Sequence, residues 1–438
     1  MRTRVFRATD LAEMFVALGL LIALGALPAA ALTSGEIAAA GGFDCPSGSG
    51  DAILSIDPAT GDRMVISGAQ PSGGDCIPIG SGEAFGDVGP IAEDLLGLLL
   101  AGDGDGSGGG ARVLVVDPET GDRSMLSGCE GEPVAPSGCS GSIVGTGPAF
   151  DFVQAIAVVG SDAASHPALA GELGNALIAT DVEDCSSDTL LVIDRATGGR
   201  RALSGPDIGC TRVGAGDPIS EITAMGLAPD GTIWAGDGDG SARVLRIEPD
   251  TGDRSVTSGC ATIENFRCTG EIVGSGPALS FVRGLEQADP TAPILALVVL
   301  SGCSGDTILA IDPISGDRTV ISGLDAACNP VGSGPEMFEA ESLGRSPDGS
   351  LLVSEDQVGR LLRVDPTTGA RQVVAGCSDL MPFGGICEPS AVVVGAGPQP
   401  RFLLSPIVFV PEPSLPQMMM VGGLAMLGLV RWRPRSQK

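Results

Sequence analysis

The segment ILAIDPISGDRTVIS, from Ile308 to Ser322, is one of six near-copies that decide how this chain folds. Each copy joins two short apolar runs through Asp-Pro-x-Thr-Gly-x-Arg or a close variant of it. The copies begin at Ile53, Val113, Leu190, Val244, Ile308 and Leu361, and their turn acids are Asp57, Asp117, Asp194, Glu248, Asp312 and Asp365. Successive turn acids lie 53 to 77 residues apart. A unit of this period that cannot bury its own apolar face indicates a repeat architecture.

Each copy predicts a β-hairpin. The acid can accept hydrogen bonds from backbone amides, and the proline presets φ for the turn. The glycine four residues after the acid suits a position with φ above zero. An arginine follows that glycine in every copy, and we expect it to pair with its turn carboxylate rather than form a ring of ligand-binding cations. These arginines are Arg63, Arg123, Arg200, Arg254, Arg318 and Arg371.

A Gly-x-Gly triplet follows every hairpin, at residues 80–82, 145–147, 214–216, 274–276, 332–334 and 395–397. None of the six opens a helical pattern, so a phosphate-binding loop is a poor explanation. The triplets instead predict a tight crossing from one sheet to the next. Two further strands per unit complete four strands, and six such units predict an all-β fold, a six-bladed β-propeller. The surplus strand RFLLSPIVFV, from Arg401, would join the first blade and close the ring.

The twelve cysteines divide into six local pairs that follow the repeats. In odd-numbered units each pair brackets the hairpin: Cys45 with Cys76, Cys185 with Cys210, and Cys303 with Cys328. In even-numbered units each pair closes a loop after the hairpin: Cys129 with Cys139, Cys260 with Cys268, and Cys377 with Cys387. A zinc site would need closely spaced Cys and His ligands, which this pattern lacks. Six disulfides predict an oxidising compartment, each contributing about 2–4 kcal/mol.

Both ends of the chain carry segments typical of export. Residues 1–31 combine early arginines, an apolar stretch and Ala29-Ala-Ala31, which predicts a secretory signal peptide cleaved after Ala31. A retained N-terminal anchor is the alternative. We assign residues 32–409 to one propeller domain and residues 410–438 to a separate tail.

The tail resembles the PEP-CTERM sorting signal. It has a Pro-Glu-Pro box at Pro411, Glu412 and Pro413, then an apolar run, then a basic cluster at Arg431, Arg433 and Arg435. The resemblance implies processing by an exosortase, transient insertion in the inner membrane with the arginines on the cytoplasmic side, and delivery to the surface or extracellular matrix of a Gram-negative bacterium. The apolar run is shorter than the ~20 residues of a usual membrane helix. A plain C-terminal anchor is the alternative.

The propeller units are similar to NHL-type and related six-bladed propellers, as in PDGTIWAGDGDGSARVLRIEPDTG from Pro229. The likeness concerns strands and turns, so it implies fold only. Some such propellers are metal-dependent lactonases or hydrolases with a Glu, Asn and Asp set in the channel. Here Asn175, Asn265 and Asn329 occupy no equivalent repeat positions.

Composition restricts the chemistry further. The single histidine, His166, leaves a histidine-based triad without a second candidate, and the chain has no tyrosine. A net charge of −29 disfavours nucleic acid and anionic membranes as partners. An aromatic content of 3% argues against a platform for stacking bases.

Gly-Asp-Gly-Asp-Gly occurs twice, at residues 102–106 and 236–240. Asp103 with Asp105, and Asp237 with Asp239, offer oxygen ligands on loops rich in glycine, which suits calcium. An acidic turn facing solvent is the simpler interpretation. Calcium is the one cofactor that the sequence suggests.

These features predict an exported binding or structural module without catalytic activity, whose partners include exopolysaccharide or envelope proteins. The alternative is a secreted metal-dependent hydrolase or lactonase. Polar side chains converging in the central channel would favour the enzyme, and small apolar side chains there would favour the binding or structural module.

Overall fold

The computed structural model describes residues 35–45, 48–72, 75–104, 111–130, 141–182, 185, 187–238, 240–265, 267–356, 359–378 and 392–408. Its main elements are six antiparallel sheets of five strands each. We call these sheets blades 1 to 6, in chain order. Two short 3₁₀ helices, Ala163–Ser165 and Ile208–Cys210, lie in connections of blade 3.

The strand bounds follow the repeats. Blade 1 contains β1 (Ile37–Cys45), β2 (Gly48–Ile56), β3 (Arg63–Ser72), β4 (Asp75–Ile79) and β32 (Phe402–Val408), and blade 2 contains β5 (Val88–Glu93), β6 (Leu99–Asp103), β7 (Arg112–Val116), β8 (Arg123–Cys129) and β9 (Ile143–Val144). Blade 3 contains β10 (Phe150–Val158), β11 (Ala176–Val182), β12 (Asp188–Ile193), β13 (Arg200–Pro206) and β14 (Arg212–Val213). Blade 4 contains β15 (Ile222–Leu227), β16 (Ile233–Asp237), β17 (Arg243–Ile247), β18 (Arg254–Cys260) and β21 (Ile272–Val273), with a separate hairpin of β19 (Ile263–Glu264) and β20 (Arg267–Cys268). Blade 5 contains β22 (Leu279–Glu286), β23 (Ile294–Leu300), β24 (Asp306–Ile311), β25 (Arg318–Leu324) and β26 (Pro330–Val331), and blade 6 contains β27 (Ala340–Arg345), β28 (Leu351–Glu355), β29 (Arg360–Val364), β30 (Arg371–Cys377) and β31 (Val393–Val394).

The predicted hairpins are confirmed in all six blades, where each repeated turn joins the third and fourth strands counted from the inner edge. The prediction of four strands per blade was one strand short. The residues just before each Gly-x-Gly triplet pair with the end of the preceding strand, as Gly323 does with Val331. This pairing adds a fifth, outer strand, which has two residues in five of the blades.

The ring closes through its C-terminal strand, as the sequence predicted. Strand β32 pairs antiparallel with β1, with Leu403 opposite Gly41, and forms the inner edge of blade 1. The innermost strands of the six blades are therefore β32, β5, β10, β15, β22 and β27, and each contacts its neighbours around the ring. Closure removes the open inner edge that blade 1 would otherwise expose.

The hydrophobic core of the described residues consists of six clusters, each between two neighbouring blades. Alternate residues of one strand serve two clusters, because side chains of a strand point to opposite faces. In β11, Leu177 and Ala179 pack towards blade 4, whereas Ala176 and Ile178 pack towards blade 2. No blade buries its apolar faces alone, which explains why the unit recurs as a ring.

The six repeated arginines form what we call the interblade clasp. In blade 5, Arg318 Nε donates to Pro277 O (2.7 Å), and its Nη1 donates to Val273 O (2.9 Å) and Ser258 Oγ (2.7 Å). All three acceptors belong to blade 4 or to its exit segment. The expected pairing of each arginine with its turn carboxylate was wrong: Asp312 Oδ1 instead accepts from the backbone N–H groups of Ile314 and Ser315, within its own turn. A guanidinium can satisfy several carbonyl oxygens at once, which suits a contact between blades.

The Gly-x-Gly triplets lie beside the clasp. Ser275 N donates to Asp317 Oδ1 (2.7 Å), and Arg318 N donates to Ser275 O (2.8 Å). Gly274 has a φ of 72°, and a Cβ there would lie 1.9 Å from Gly316 O. The triplet is thus the predicted crossing between sheets, and its glycine allows two backbones to touch.

Four predicted disulfides are confirmed: Cys45–Cys76, Cys185–Cys210, Cys260–Cys268 and Cys303–Cys328. Cys129 and Cys377 are also disulfide-bonded. Their predicted partners, Cys139 and Cys387, lie outside the described residues, as do the predicted signal peptide and the whole sorting tail. In the part of the chain that the structure describes, no helix has the length and apolar character needed to cross a membrane.

Candidate functional site

A channel of about 580 Å³ runs along the centre of the ring and is lined by the innermost strands of all six blades. Among the described residues, its wall carries six charged side chains, Glu93, Glu221, Arg283, Glu286, Glu341 and Arg345, together with many small and apolar ones. No histidine or cysteine of the described residues lines it. The sequence left open whether polar side chains or small apolar side chains would line the channel, and the channel contains both kinds.

Every innermost strand contains a β-bulge. In four blades the residue left over by the bulge is polar and lines the channel. We call these four residues the bulge cluster: Gln154, Thr223, Arg283 and Glu341. An extra residue re-aims a side chain, and bulges are frequent beside functional sites. The cluster is thus built by backbone irregularity at matching levels of four different blades.

Arg283 is the cationic member of the bulge cluster and is paired with Glu341. Its Nη1 donates to Glu341 Oε1, its Nε lies 3.8 Å from Asp306 Oδ1, and its guanidinium lies 5.2 Å from the centre of the Phe281 ring. Burial raises the pKa of Glu341, and the charge of Arg283 partly opposes that shift. Thr223 Oγ1 donates to Val282 O, and the Gln154 amide, with its nitrogen towards Asp188, donates to Oδ2 of that carboxyl at 3.2 Å. These contacts fix the orientation of the polar groups in the channel wall.

A second group of charges lies towards the other end of the channel. We call Glu93, Glu286 and Arg345 the distal cluster. Burial raises the pKa of Glu286 to about 7, and the positive charge of Arg345 opposes the shift. Glu286 also lines an adjoining cavity of about 330 Å³, beside Asp162 and Ala163 of blade 3. A carboxyl with this pKa can exchange its proton near neutral pH.

Three buried aspartates occupy equivalent positions in the odd-numbered blades, and two of them, Asp188 and Asp306, lie beside the bulge-cluster residues Gln154 and Arg283. Asp51, Asp188 and Asp306 lie two residues before their hairpin copies. Asp188 Oδ2 accepts from Ile222 N (2.5 Å), and Asp306 Oδ2 accepts from Ala340 N (2.8 Å), so each joins its blade to the next. Burial raises the pKa of Asp51 to about 7, of Asp306 to about 7 and of Asp188 to about 9.

Two of the four aspartates predicted to bind calcium, Asp103 and Asp237, are described by the structure, and each is paired with an arginine. Asp103 accepts from Arg112 Nε (2.6 Å) and Asp237 accepts from Arg243 Nε (2.7 Å), and both carboxylates are buried. Glu355 and Arg360 form the matching pair in blade 6. The other two predicted ligands, Asp105 and Asp239, lie outside the described residues. Within the described ranges, no group of three or more His, Cys, Asp or Glu side chains is arranged to hold a metal ion.

Sequence reasoning missed the channel residues and the odd-blade aspartates. For Arg283 and Glu286 the available signal was a charge inside the strand FVRGLE, which otherwise reads as apolar. For Asp51, Asp188 and Asp306 the signal was an acid at the same offset from three alternate hairpins. The lone His166 accepts from Ala168 N through Nδ1 (3.3 Å) in a blade 3 connection, outside the channel lining.

No protein-family profile matches the sequence, and no curated protein matches it significantly. Among solved structures, the chain is similar to the PQQ-bound aldose sugar dehydrogenase of Streptomyces coelicolor, with a TM-score of 0.40 and 15% identity over 75% of this chain and 96% of that one. It is also similar to a putative 6-phosphogluconolactonase of Bacteroides uniformis, with a TM-score of 0.41 and 14% identity over 85% and 99%. A Bacteroides thetaiotaomicron protein of unknown function gives a TM-score of 0.40 and 12% identity over 84% and 89%. Likenesses this distant carry no argument about function, and the propeller assignment rests on the strand order and closure of this chain.

Proposed function

We propose that this chain is an exported binding propeller without catalytic activity, which recognises a small polar ligand in its central channel. The observation that carries the proposal is the bulge cluster, where four strands present Gln154, Thr223, Arg283 and Glu341 to one cavity. A cavity with mostly apolar walls and a few converging polar groups is the usual form of a small-molecule site.

The contacts of the cluster favour binding over catalysis. Arg283 is held by Glu341 and stacks near Phe281, so its charge serves recognition in a fixed position. Among the residues that the structure describes, the lining offers no histidine or cysteine as base or nucleophile. Ligand selection by prearranged polar groups requires neither.

The test is a ligand screen by thermal shift and native mass spectrometry on the oxidised domain from Leu32 to Val408, covering sugars, uronic acids, amines, amino acids and lactones. The Glu341→Gln variant removes one charge of the cluster and keeps the side chain's shape. The matched control is Glu119→Gln in an exposed hairpin turn. We expect a compound whose stabilising effect is lost in Glu341→Gln and kept in Glu119→Gln. A shift that both variants preserve would place the ligand elsewhere.

A channel hydrolase or lactonase is the second candidate. It is favoured by Glu286, whose pKa of about 7 suits general acid–base catalysis. Turnover of lactones or esters by the wild-type protein, with or without added calcium, and its loss in Glu286→Gln would support the enzyme. That result would reject the non-catalytic proposal.

Calcium at the two Gly-Asp-Gly-Asp-Gly segments stays a proposal. Arg112 and Arg243 already neutralise Asp103 and Asp237, so an ion would depend on Asp105 and Asp239. Calorimetric titration of calcium into the wild type and into Asp105→Asn/Asp239→Asn tests this. Saturable binding that the double variant loses supports the site, and absence of heat in the wild type removes it.

We also propose that an exosortase removes the tail and releases the propeller to the cell surface or matrix, where exopolysaccharide or envelope proteins are its partners. The disulfides support an exported location. The order of Pro411-Glu412-Pro413, apolar run and Arg431, Arg433 and Arg435 supports the sorting step. Intact-mass measurement of the protein from its host tests it: the tail should be absent in the wild type and retained in Glu412→Ala.

A further inference from the structure

The distal cluster contains an arginine whose donors have no acceptor in the protein. Arg345 ends β27 and lines the channel, yet among the described residues it donates no hydrogen bond and forms no ion pair. Its Nε is shielded from solvent by the surrounding protein. A guanidinium carries five N–H donors in a fixed fork, and a shielded donor without an acceptor costs free energy. Arg345 therefore offers its donors to a ligand in the channel.

Glu286 is the carboxyl on which the charge of Arg345 acts. Three charged groups face it from other elements: Arg345 of β27, Glu93 of β5 across the channel, and Asp162 of the blade 3 connection beside the adjoining cavity. Glu93 already has a partner, and Asp162 accepts from Ser161 Oγ. Burial raises the pKa of Glu286 to about 7, and the positive charge of Arg345 opposes that shift without cancelling it. Near neutral pH this carboxyl is therefore protonated in a large fraction of the molecules, and it then leaves the charge of Arg345 uncompensated.

An apolar belt separates the distal cluster from the bulge cluster. Its residues lie nine positions after the second glycine of the Gly-x-Gly triplet in five units, and all five line the channel: Ile91, Ile156, Met225, Leu285 and Leu343. Arg283 of the bulge cluster and Glu286 of the distal cluster are three residues apart in β22. At ~3.3 Å per strand residue, the two polar clusters lie roughly 10 Å apart along the channel.

We infer that the channel binds a linear hydroxy acid, with its carboxylate at Arg345 and the protonated Glu286, its methylene chain along the apolar belt, and its far hydroxyl at the bulge cluster. This inference rests on the proposed channel-binding function and names its ligand class. The guanidinium donates two hydrogen bonds to the carboxylate, and the Glu286 O–H donates a third. The methylene chain buries apolar surface in the belt. At the bulge cluster Arg283 and Glu341 already neutralise each other, which suits an uncharged hydroxyl.

Other head groups fit the distal cluster less well. An ammonium group would be repelled by Arg345 while Glu286 is protonated. A hydroxyl has one oxygen, so it would leave donors of the fork unpaired once it displaces the water around them. A carboxylate has two oxygens that match the fork. The net charge of −29 opposes an anion at long range, but physiological salt screens exposed charges beyond ~8 Å, and the ligand contacts Arg345 at hydrogen-bond distance.

The experiment is calorimetric titration, at about pH 6, of the oxidised domain from Leu32 to Val408, which contains the strands of all six blades. The ligand probe is 8-hydroxyoctanoate. Octanoate is the control for the hydroxyl, and octane-diol and 8-amino-octanol are the controls for the carboxylate. We expect one saturable site for 8-hydroxyoctanoate, with weaker binding of octanoate and at least about tenfold weaker binding of the diol and the amine. Equal affinity for the acid and the diol, or for the acid and the amine, would overturn the inference, and so would equal affinity for 8-hydroxyoctanoate and octanoate.

Arg345→Gln and Arg363→Gln form a matched pair of variants in blade 6. Arg363 of β29 also has a shielded Nε without an acceptor among the described residues, but it does not line the channel. Arg345→Gln should weaken 8-hydroxyoctanoate at least about tenfold, and Arg363→Gln should leave its affinity unchanged. If Arg345→Gln fails to fold, as judged by thermal melting, Arg345→Lys replaces it, because lysine keeps the charge and loses the fork, and it should also weaken binding. Unchanged affinity in the folded Arg345 variant would overturn the inference.

The pH dependence of binding tests the role of Glu286. The ligand carboxylate stays ionised above about pH 6, whereas Glu286 loses its proton as pH rises through about 7. The affinity of the wild type should therefore fall about tenfold between pH ~6 and pH ~8, because only the protonated form binds the carboxylate. Glu286→Gln should bind with nearly the same affinity at both pH values, and a wild type without pH dependence would overturn the inference. If hydroxy acids fail but another compound stabilises the wild type and not Glu341→Gln, the channel-binding function stands and only the ligand class is wrong.

Discussion

Charged residues just before the hairpin copies serve different purposes in alternate blades. Arg112, Arg243 and Arg360 neutralise a buried acid of the neighbouring strand in the even-numbered blades. The odd-numbered blades instead have Asp51, Asp188 and Asp306 one position earlier in the repeat, and burial raises the pKa of all three. A carboxyl that is buried without a full counter-charge favours its protonated form, so these positions make folding sensitive to pH.

Asp188 gives the clearest pH prediction. Its pKa is higher in the folded than in the unfolded chain, because of burial and a hydrogen bond shared with Asp181. Proton binding by Asp188 therefore stabilises the fold fully below the unfolded pKa, and this stabilisation is lost as pH rises towards about 9. In Asp188→Asn the free energy of unfolding should fall less steeply with pH than in the wild type. Urea unfolding at several pH values between about 5 and about 9 measures this.

Asp312→Asn tests the opposite pH dependence from Asp188→Asn. Backbone N–H groups of Ser315 and Ile314 lower the pKa of this exposed turn carboxyl, so its stabilisation is present above the unfolded pKa and is lost as pH falls. The Asn variant should lose stability at neutral pH and match the wild type in acid. Equal pH slopes for the wild type, Asp188→Asn and Asp312→Asn would contradict both assignments.

At the scale of strands, the blades are joined by the interblade clasp as well as by apolar packing. Five arginines donate through Nη1 to a serine of the preceding blade: Ser67, Ser127, Ser204, Ser258 and Ser322. At the junction of blades 6 and 1 the equivalent residue is Ala375, so among the described residues Arg63 donates only to backbone carbonyls: Pro398 O and Val394 O across the junction and Gly61 O in its own turn. Within the part of the chain that the structure describes, the closing junction therefore lacks the serine hydroxyl that each of the other five clasps contains.

Ala375→Ser should supply the missing hydroxyl. The new Oγ can accept from Arg63 and donate to Gly61 O, as Ser258 Oγ does with Arg318 and Gly316 O. We expect a gain of about 1 kcal/mol in the free energy of unfolding. Ser258→Ala at an intact clasp should lose a similar amount, which thermal and denaturant unfolding would measure. A destabilised Ala375→Ser variant would show that the junction cannot accept the hydroxyl.

Gly274, in a Gly-x-Gly crossing, and Gly302 both have a positive φ, but we expect substitution by alanine to destabilise the fold more at Gly274. Gly274→Ala places a Cβ against Gly316 O, whereas Gly302 has a φ of 87° and nothing within 4 Å of the point where a Cβ would lie. Gly302→Ala should lose about 1 kcal/mol from backbone strain alone, and Gly274→Ala about 3 kcal/mol or more. Denaturant unfolding gives both values. Equal losses of unfolding free energy would mean that the close contact between the two backbones adds nothing to the cost of Gly274→Ala.

For the whole molecule, closure by the C-terminal strand is the decisive contact. Leu403 of β32 is fully buried in the cluster between blades 6 and 1. A chain ending after Pro400 lacks β32, and we expect it to lose cooperative unfolding and to aggregate through the open edge of β1. A chain ending after Val408 keeps β32 and should unfold cooperatively. Gel filtration and thermal melting compare the two, and a monomeric, cooperative shorter chain would refute the role of β32.

The fold was predictable to the level of blade number, hairpin position, closing strand and four disulfide pairs. These features depend on local signals, such as the turn at Asp312 and the cysteines flanking it. The signals recur in enough units that a unit with a different residue does not hide the pattern. The partners of Arg318 were not predictable, because its acceptors are carbonyl oxygens of a neighbouring blade. A local sequence pattern suggested the nearby carboxylate, and tertiary packing placed the guanidinium elsewhere.

The sequence by itself determined the ring: its six units, their turns and the surplus strand that closes it, since each signal acts within one unit or between the chain's ends. Only the tertiary structure decided the chemistry of the channel. Gln154, Thr223, Arg283 and Glu341 occupy equivalent positions, each seven residues after the second glycine of its unit's Gly-x-Gly triplet. They are four different residue types, and they line one cavity because their four strands bulge at that position. A bulge moves the side chains that follow it to the other face of the strand. The alternation of apolar and polar residues along one strand therefore does not predict which residues of four different strands will meet.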